Sequence, residues 1–567
     1  MKLNSYKFLY TACLTALLLG AVSCKEQLDV GNPNAPTYDA NVNTETGLIN
    51  LAQGAVYING FGNAITSSGS TVDAWLGDSY FSLPWGYSAL MADMVGADAS
   101  NNQVTTIGQP DYIILDDGTK VTNPAPQVGI IRSYNSRAAT GAGNNPLYYQ
   151  WTNMYSLNNG CNQVLKLIDG IKFSGDAASR ANTIKAWCYW WKGYAYASIG
   201  SMYYSGLIND NAATTNGSYV LHDAIINQSN TNFNLAATTL SAITSTTDYQ
   251  AVLGALIPST SQVGRGGVLT VDMWKRNINT MLARNILVNK LAPFVNGNPN
   301  ATISKSSTTA MTTADWNSVL TLVTNGIQQS DLIFTGRSAA NNSFISPGGG
   351  TVSSLAVGTN TSTTFRISER FIQNFNAGDK RLSSNFSMAT TYKNNYIYTT
   401  RYSLLDASTV PAGVYGYGSR SAGVSELVIA GSYEENALML AEANIRLGNV
   451  EAGLAFVDAE RTYQGAGVAA VAGTGLTQAK ALTELTKERR VALFSRGLSY
   501  YDSRRWGWTY DISTGGGSYG NTVVTTAGTV NKNVTINYNF MDYWDVPADE
   551  AVLNPSTSGV ATQNPNY

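Results

Sequence analysis

Residues 478–508 read QAKALTELTKERRVALFSRGLSYYDSRRWGW, and this stretch decides how the rest of the chain is interpreted. Leu482, Leu485 and Ala492 recur at helical spacing, so the first half is predicted to be a helix with one apolar face. Thr477 precedes it and is a suitable N-cap residue. The second half is rich in arginine and aromatic residues, which favours a compact segment folded back against the helix.

Glu488 falls on the apolar face of this predicted helix. A carboxylate there has to be paired, because an unpaired buried charge is costly. Forked donors are close in sequence: Arg489, Arg490, Arg496, Arg504 and Arg505. Two alternatives stay open, a structural ion-pair cluster and a ligand site. We predict that Glu488 is largely buried and bonded to Arg504 or Arg505, and that it holds the C-terminal segment rather than a ligand.

The N-terminus has the pattern of an export signal. Two lysines precede an uncharged stretch over residues 8–22, which has the length of a signal-peptide core and is short for a membrane-spanning helix. It ends in Ala21-Val22-Ser23-Cys24, which looks like a lipobox in which Cys24 becomes lipidated. The alternative is an ordinary secretory signal followed by a chance cysteine.

These features predict a division into three parts. Residues 1–23 are expected to be a lipoprotein signal peptide, and residues 24–43, with two prolines, an extended lipid-anchored tether. No charged or proline-rich linker divides residues 44–567, so they are predicted to form a single large binding domain.

Composition excludes several classes of protein. Without its two leader lysines the chain carries 33 basic and 37 acidic residues, so nothing indicates a nucleic-acid partner. Its cysteines beyond the leader are Cys24, Cys161 and Cys188, which form neither a disulfide framework nor a zinc-binding spacing. We expect no cofactor and no metal. Charged residues make up only 13% of the chain while tyrosine is abundant, a composition that suits uncharged polar ligands such as sugars.

Most of the chain has helical periodicity, which predicts a mainly α fold. Helices are predicted at 45–58, 147–171, 178–203, 271–290, 314–328 and 368–376. A later pair opens with the capping-box pattern Ser432-Tyr-Glu-Glu435, stops at Gly448 and restarts after Asn449, which is typical of a tetratricopeptide-like helical hairpin. Segments without helical period are predicted to form an irregular, loop-rich region: 341–364, 390–423 and 513–537.

Catalysis has little support in the sequence. Gly516-Gly-Ser518-Tyr-Gly520 matches a nucleophile-elbow string, but it lies in a Ser/Gly/Thr-rich segment, and His222 is the one possible base. Asp78, Asp93 and Asp98 have no spacing that singles out a glycosidase pair. We therefore predict that the protein is not an enzyme.

Residues 487–506, KERRVALFSRGLSYYDSRRW, resemble the signature of the SusD/RagB family of outer-membrane nutrient-binding lipoproteins. Val546-Pro547 and the final residues QNPNY are similar to that family's closing segment, and Asp379 and Arg381 follow its Asp-x-Arg pattern. The resemblance implies a tetratricopeptide-like scaffold beside a loop-rich region. It also implies anchoring in the outer membrane on the extracellular side, and delivery of a captured glycan to a SusC-type TonB-dependent transporter.

Aromatic residues in the loops are the predicted ligand contacts, because flat rings stack on the apolar faces of sugars. The first candidates are Trp75, Tyr80, Trp85 and Tyr87, and the second are Tyr415 and Tyr417. Two alternatives are open: these rings pack the loops together, or the protein is a helical-repeat scaffold that binds peptide or protein. A lipid-anchored glycosidase is a third possibility, which turnover of a labelled oligosaccharide would reveal.

Helices 147–171 and 178–203 are predicted to form a hairpin. Cys161 and Cys188 would then lie at the same level, about 20 Å from the turn at the helical rise of 1.5 Å per residue. We predict neighbouring, buried thiols. The aromatic residues of the second helix lie all round it, so they are predicted to be core rather than a ligand platform.

Overall fold

The structure is a computed structural model. It describes residues 42–57, 63–65, 71–73, 84–97, 105–136, 145–336, 356–357, 365–395, 397–406, 410–419 and 422–567. The predicted signal peptide, the lipidation site Cys24 and nearly all of the tether lie outside these residues, as do the candidate ligand residues Trp75 and Tyr80.

The described part of the chain is mainly α-helical, which confirms the predicted fold class. Its helices are α1 Glu45–Val56, α2 Pro84–Met91, α3 Gln127–Tyr134, α4 Pro146–Leu167, α5 Ala177–Met202, α6 His222–Ser241, α7 Thr246–Leu256, α8 Val271–Val288, α9 Thr313–Thr324, α10 Glu369–Ile372, α11 Lys380–Asn385, α12 Tyr433–Arg446, α13 Val450–Tyr463, α14 Gln478–Ala492, α15 Ser499–Arg505 and α16 Ala548–Leu553. None of these helices combines the length and the apolar character that crossing a membrane requires.

Helix α5 is the centre of the core. It packs against α1, α4, α6, α7 and α8, so it has almost no side that faces water. Trp187, Trp190 and Trp191 of α5 are fully buried and, with Trp274 of α8, surround the ring of Phe334 at centroid distances of 4.8–6.1 Å. The prediction that the aromatics of this helix belong to the core is confirmed.

Helices α6 and α7 follow α5 and are absent from the sequence prediction. The sequence of α6 is rich in Asn, Thr and Ser, which are weak helix formers. Ile225, Phe233 and Leu240 of α6 are nevertheless fully buried at helical spacing. Packing on α5 therefore stabilises a helix that local propensity does not favour.

The late helical hairpin is formed by α12 and α13, as predicted. The Ser432 side chain accepts a hydrogen bond from the Glu435 N–H, and Gly448 makes the turn at φ +91°. Two details differ from the prediction: the Glu435 carboxylate pairs with Arg284 instead of completing the capping box, and the Asn449 side chain makes no capping hydrogen bond. Helix α14 packs against both helices of the hairpin.

The predicted irregular region contains a sheet. The strands of the described residues are β1 Asn63–Ile65, β2 Thr71–Asp73, β3 Val95–Ala97, β4 Tyr112–Ile114, β5 Lys120–Thr122, β6 Ser205–Leu207, β7 Tyr219–Leu221, β8 Thr335–Gly336, β9 Ala356–Val357, β10 Phe365–Ile367, β11 Phe386–Asn395, β12 Tyr398–Leu405, β13 Leu427–Val428, β14 Ser518–Thr525 and β15 Val530–Asn537. Nine of them form one sheet along the path β3-β10-β12-β14-β15-β4-β5, with β9 and β11 also pairing β12.

The expectation of irregular structure was wrong for much of 390–423 and 513–537. Strand β12 lies in the first of these segments, and the β14–β15 hairpin fills most of the second. Val523, Val534 and Ile536 are buried within the hairpin. The signal was present as a short alternation of Val, Ile and Thr, but Gly and Asn residues around it resembled loop sequence.

Candidate functional site

A cleft of about 660 Å³ opens between α4, the loop after β6, and α16. We name it the aromatic cleft after Tyr148, Trp151 and Tyr155, which line it from α4. These residues lie three and four positions apart, so they share one face of the helix. Asn145 caps α4 by accepting from the Leu147 N–H, and Pro146 suits the first helical position, which fixes where this face begins.

Packing and hydrogen bonds hold the rings of the aromatic cleft in place. The Trp151 ring lies 4.7 Å from Tyr155 and 5.1 Å from Tyr203, centroid to centroid. The Tyr155 hydroxyl donates to the Leu207 carbonyl at 3.0 Å and accepts from the Leu207 N–H at 2.6 Å. Burial raises the pKa of Tyr155 well above its usual value, so this hydroxyl stays neutral.

The opposite wall is a loop of neutral polar residues. The Thr214 hydroxyl donates to Asn209 Oδ1 at 2.8 Å, and the Asn216 amide donates to the Ile208 carbonyl at 3.0 Å. Asn159 of α4 accepts from the Ala213 N–H at 2.8 Å, which ties the loop to the aromatic wall. The loop is therefore ordered before any ligand arrives.

Helix α16 closes the third side. The side-chain amide of Asn554, the residue that follows the helix, donates to Glu550 at 2.8 Å and to the Asn216 carbonyl at 2.7 Å. Leu553 at the rim is 70% exposed. Among the described residues that line this cleft, two are acidic and none is Lys or Arg. Aromatic rings with amides, hydroxyls and carboxylates around them match a ligand that has apolar faces and many hydroxyl groups.

Two of the predicted ligand residues, Tyr87 and Tyr417, are core side chains. Tyr87 is 5% exposed and packs edge-on against Trp544, and Tyr417 is 4% exposed and packs against Phe386. Direct contact between either ring and a ligand would require them to move. Tyr415 is half-buried beside Arg496 and lines neither the aromatic cleft nor the second cleft described below. Trp85 lies on α2.

Sequence reasoning missed Tyr148, Trp151 and Tyr155, although it placed them in a predicted helix. Aromatics at helical spacing are usually core, and this rule is correct for α5. What distinguishes α4 is the facing loop with its Asn and Thr residues, which becomes its neighbour only in the folded chain. Ligand roles for Trp75, Tyr80, Trp85 and Tyr415 stay predictions.

Glu488 is 2% exposed, as predicted, but its partners are different. It accepts from Arg381 at 2.6 and 3.1 Å and from Arg461 Nε at 2.9 Å. Arg381 also binds Asp379 at 2.8 Å, so the Asp-x-Arg pattern supplies the pairing guanidinium. The cluster joins α11, α13 and α14.

The expected pairing with Arg504 or Arg505 was wrong because α15 directs both side chains to other helices. Arg505 binds Glu442 of α12 at 2.5 Å and Asp502 at 2.8 Å. Arg504 donates to backbone carbonyls, including that of Ser201 at 2.8 Å. Burial alone would raise the pKa of Glu442, but the Arg505 guanidinium outweighs it and holds that pKa at about 2.

Cys161 and Cys188 are buried, as predicted, and they are free thiols, which the sequence left open. The two thiols are neighbours within hydrogen-bond reach, which supports the predicted α4–α5 hairpin. Burial, with the Cys161 contact, raises the pKa of Cys188 well above its usual value, so this thiol is a poor nucleophile.

His222 and Ser518, which the sequence offered as a catalytic base and nucleophile, each contact other residues, while Asp78 and Asp98 lie outside the described residues. The His222 ring stacks on Tyr543 at a centroid distance of 4.0 Å, and its Nε2 lies 3.0 Å from the Ser307 carbonyl. The Ser518 hydroxyl is bonded to Asn521. Within the described ranges, no group of three or more His, Cys, Asp or Glu side chains is placed to hold a metal ion.

Comparison with known proteins relates the fold to solved structures. No family profile and no curated protein matches the sequence. A candidate sugar-binding protein from Bacteroides vulgatus superposes with a TM-score of 0.55 at 14% identity, over 93% of this chain and 99% of its own. A SusD superfamily protein from the same organism gives a TM-score of 0.52 at 14% identity, over 91% and 99%.

Proposed function

Since the chain has the SusD fold over almost its whole length, we propose that it is a cell-surface lipoprotein that captures a glycan and delivers it to a SusC-type TonB-dependent transporter. The observation that carries the proposal is the near-complete superposition on a SusD superfamily protein. The protein binds its ligand without turnover in this proposal.

The aromatic cleft supports glycan capture. The half-buried rings of Tyr148 and Tyr155 on α4 supply apolar contact area, with the buried Trp151 ring packed against Tyr155. The loop that contains Asn209 and Asn216 supplies amides for sugar hydroxyls. The cleft volume of about 660 Å³ is that of an ordinary small-molecule site. Trp75, Tyr80, Trp85 and Tyr415 stay candidates for further contacts with a longer glycan.

Attachment to the outer membrane rests on Cys24 in this proposal. Lipidation at this residue would place the tether of residues 24–43 between the bilayer and the folded domain, on the extracellular side. Two or more acyl chains give stable anchoring where a single chain is marginal.

A change of Cys24→Ala tests the anchor. The variant should leave the membrane fraction and appear in the soluble fraction, because it lacks the acylated thioether. Measurement is by fractionation and immunoblotting of cells that express the full chain, with Cys161→Ala as the matched control. Tight membrane association of a folded Cys24→Ala variant would contradict the anchor.

Glycan capture is tested by isothermal titration calorimetry of the mature protein with a panel of neutral and acidic oligosaccharides. We expect saturable binding to at least one member and no change in the length of the recovered oligosaccharide. Failure of the folded protein to bind any member, together with binding of a peptide library, would favour the alternative helical-repeat scaffold. Shortened products would indicate a glycosidase.

A further inference from the structure

A second cleft, of about 470 Å³, lies on the other side of α14 from the Glu488 cluster. Its walls are the C-terminal half of α14, the β14–β15 hairpin, α10 and a turn at Asn296-Gly297. The turn joins residues Val295 and Asn298, which bond to each other in an antiparallel bridge, and both turn residues have positive φ. We name this region the basic cleft.

Helix α14 contributes four residues to the basic cleft. Thr483, Thr486, Lys487 and Arg490 line it and lie at spacings of three, four and seven, so they share one helical face. Glu488 points to the opposite side, into the ion-pair cluster. Helix α14 therefore has a buried ion-pair cluster on one side and the positively charged basic cleft on the other.

The charge of the basic cleft is one-sided. Among the described residues, its lining includes Arg370, Lys487 and Arg490 and no carboxylate. The charge of Arg370 is neutralised by Asp93, to which its guanidinium donates at 2.7 and 2.9 Å. Lys487 is 3.4 Å from Glu484, but Glu484 is already bound by Arg461 at 2.7 Å.

Arg490 is the unusual member. It is 5% exposed, and in the described part of the chain no carboxylate forms an ion pair with it. Its guanidinium donates only to neutral acceptors among the described residues: the Ala92 carbonyl at 3.1 Å, the Asp93 carbonyl at 3.4 Å and the Ser503 hydroxyl at 3.5 Å. Burial lowers the pKa of Arg490 by more than the nearby Asp93 and Asp502 carboxylates raise it, because neither forms an ion pair with the guanidinium.

Neutral groups around these cations are also free to bind. Thr509 is 1% exposed, and its hydroxyl has no hydrogen-bond partner in the described chain. The side chains of Asn296 and Asn533 are exposed on two different walls of the cleft. The half-buried Trp508 ring lines it and is fixed by an indole N–H bond to the Phe294 carbonyl at 2.8 Å.

We infer that the basic cleft binds a carboxylate-bearing sugar of the uronic-acid class, with the carboxylate at Arg490 and Lys487 and the sugar ring at Trp508. The inference rests on the proposed glycan-binding function and specifies a ligand class for this cleft. A carboxylate supplies the missing counter-charge, and charge-assisted hydrogen bonds are the strong ones. The sugar hydroxyls meet the amides and the Thr509 hydroxyl.

The test compares glucuronate- and galacturonate-containing tetrasaccharides with their methyl esters, which have the same sugar rings without the charge. Calorimetry with the mature protein should show tighter binding of at least one acid than of its ester, by about fivefold or more, the size expected for a charged hydrogen bond at a partly exposed site. Raising NaCl should weaken binding of the acid and not of the ester.

Lys487→Gln should remove most of that preference while the protein stays folded, because Lys487 is only half-buried. Lys480→Gln is the matched control, since Lys480 is an exposed lysine of the same helix outside the cleft. Three outcomes would overturn this inference but not the proposed function. They are equal binding of acids and esters, binding of a neutral oligosaccharide but of no acid, and a preference for the acid that Lys487→Gln leaves unchanged. Binding of no oligosaccharide at all would overturn the proposed function as well.

Discussion

Helices α4 and α14 both border a cleft, but they use opposite chemistry. The face of α4 in the aromatic cleft presents tyrosine and tryptophan to a loop of amides and hydroxyls. Helix α14 buries Glu488, Arg489 and Arg490 and directs charge to both of its sides. The difference shows that a chain with few charged residues places many of them in its interior, where they join helices to one another, while one face of α4 borders its cleft with neutral groups.

The buried charges form networks rather than isolated pairs. Glu488 is shared by two arginines, and Asp502 accepts from both Arg489 at 3.1 Å and Arg505 at 2.8 Å. A buried pair gains little net stability, but removal of one member strands the other in a low-dielectric interior. The α14 network should therefore act on stability, and the α4 face on binding.

The largest expected effect is that of Glu488→Ala, which leaves Arg381 and Arg461 without a shared carboxylate. We expect a loss of about 3 kcal/mol in the free energy of unfolding, the range observed when one buried partner is removed. Urea denaturation followed by circular dichroism measures it. Glycan affinity of the folded fraction should not change.

Glu484→Ala is the matched control, because Glu484 lies on the same helix and binds Arg461 but is more exposed. It should cost less than about 1 kcal/mol. An equal loss of stability in the two variants would contradict a stabilising role for Glu488. A stable Glu488→Ala protein that no longer binds glycan would instead assign Glu488 to a ligand site.

Tyr148→Ala tests the aromatic cleft and should act on binding alone. Loss of a stacking ring should weaken a neutral oligosaccharide about tenfold, or about 1.4 kcal/mol. Calorimetry measures the affinity, and thermal unfolding should be nearly unchanged because the side chain is only half-buried. Tyr189→Ala removes another half-buried tyrosine, outside both clefts, and should leave affinity as it is. Equal affinities in the two variants would exclude Tyr148 from the site.

Glu460→Gln tests the least compensated carboxyl of the α14 region. Glu460 is fully buried, and neither oxygen has a hydrogen-bond partner in the described chain. Burial, together with the nearby carboxylates of Glu434 and Glu488, raises the pKa of Glu460 well above its ordinary value. The folded protein then holds a proton that the unfolded chain releases above its pKa of about 4.3.

Protonated Glu460 therefore contributes its full stabilisation to the folded state below about pH 4.3. This contribution is lost as the pH rises toward the raised pKa of Glu460 in the folded protein. Relative to the native protein, Glu460→Gln should gain stability between pH 5 and pH 8, because the amide has no proton to release while the cost of burying it is the same at both pH values. Urea titrations at the two pH values measure this gain. Glu451→Gln, at the exposed start of α13, is the control, and a relative loss at pH 8 in the Glu460 variant would contradict the raised pKa.

Local sequence was sufficient for much of the scaffold. Thr477 caps α14 as predicted, by accepting from the Lys480 N–H, and α5 begins and ends within a residue of the predicted 178–203. Capping and helical periodicity involve residues a few positions apart, so both can be recognised in the sequence itself. Helix α6 was missed because packing on α5, rather than its own propensity, stabilises it.

By itself, the sequence determined the mainly α class, the helical hairpins, the burial of Glu488 and the proximity of Cys161 and Cys188. Tertiary structure alone decided that Arg381 and Arg461 would pair with Glu488, since both lie far from it along the chain. It also decided which aromatic residues face a cleft and which guanidinium lacks a carboxylate partner among the described residues. The physical reason is that periodicity is a property of one segment, whereas a counter-charge or a cleft wall is supplied by another segment, and only the fold brings the two together.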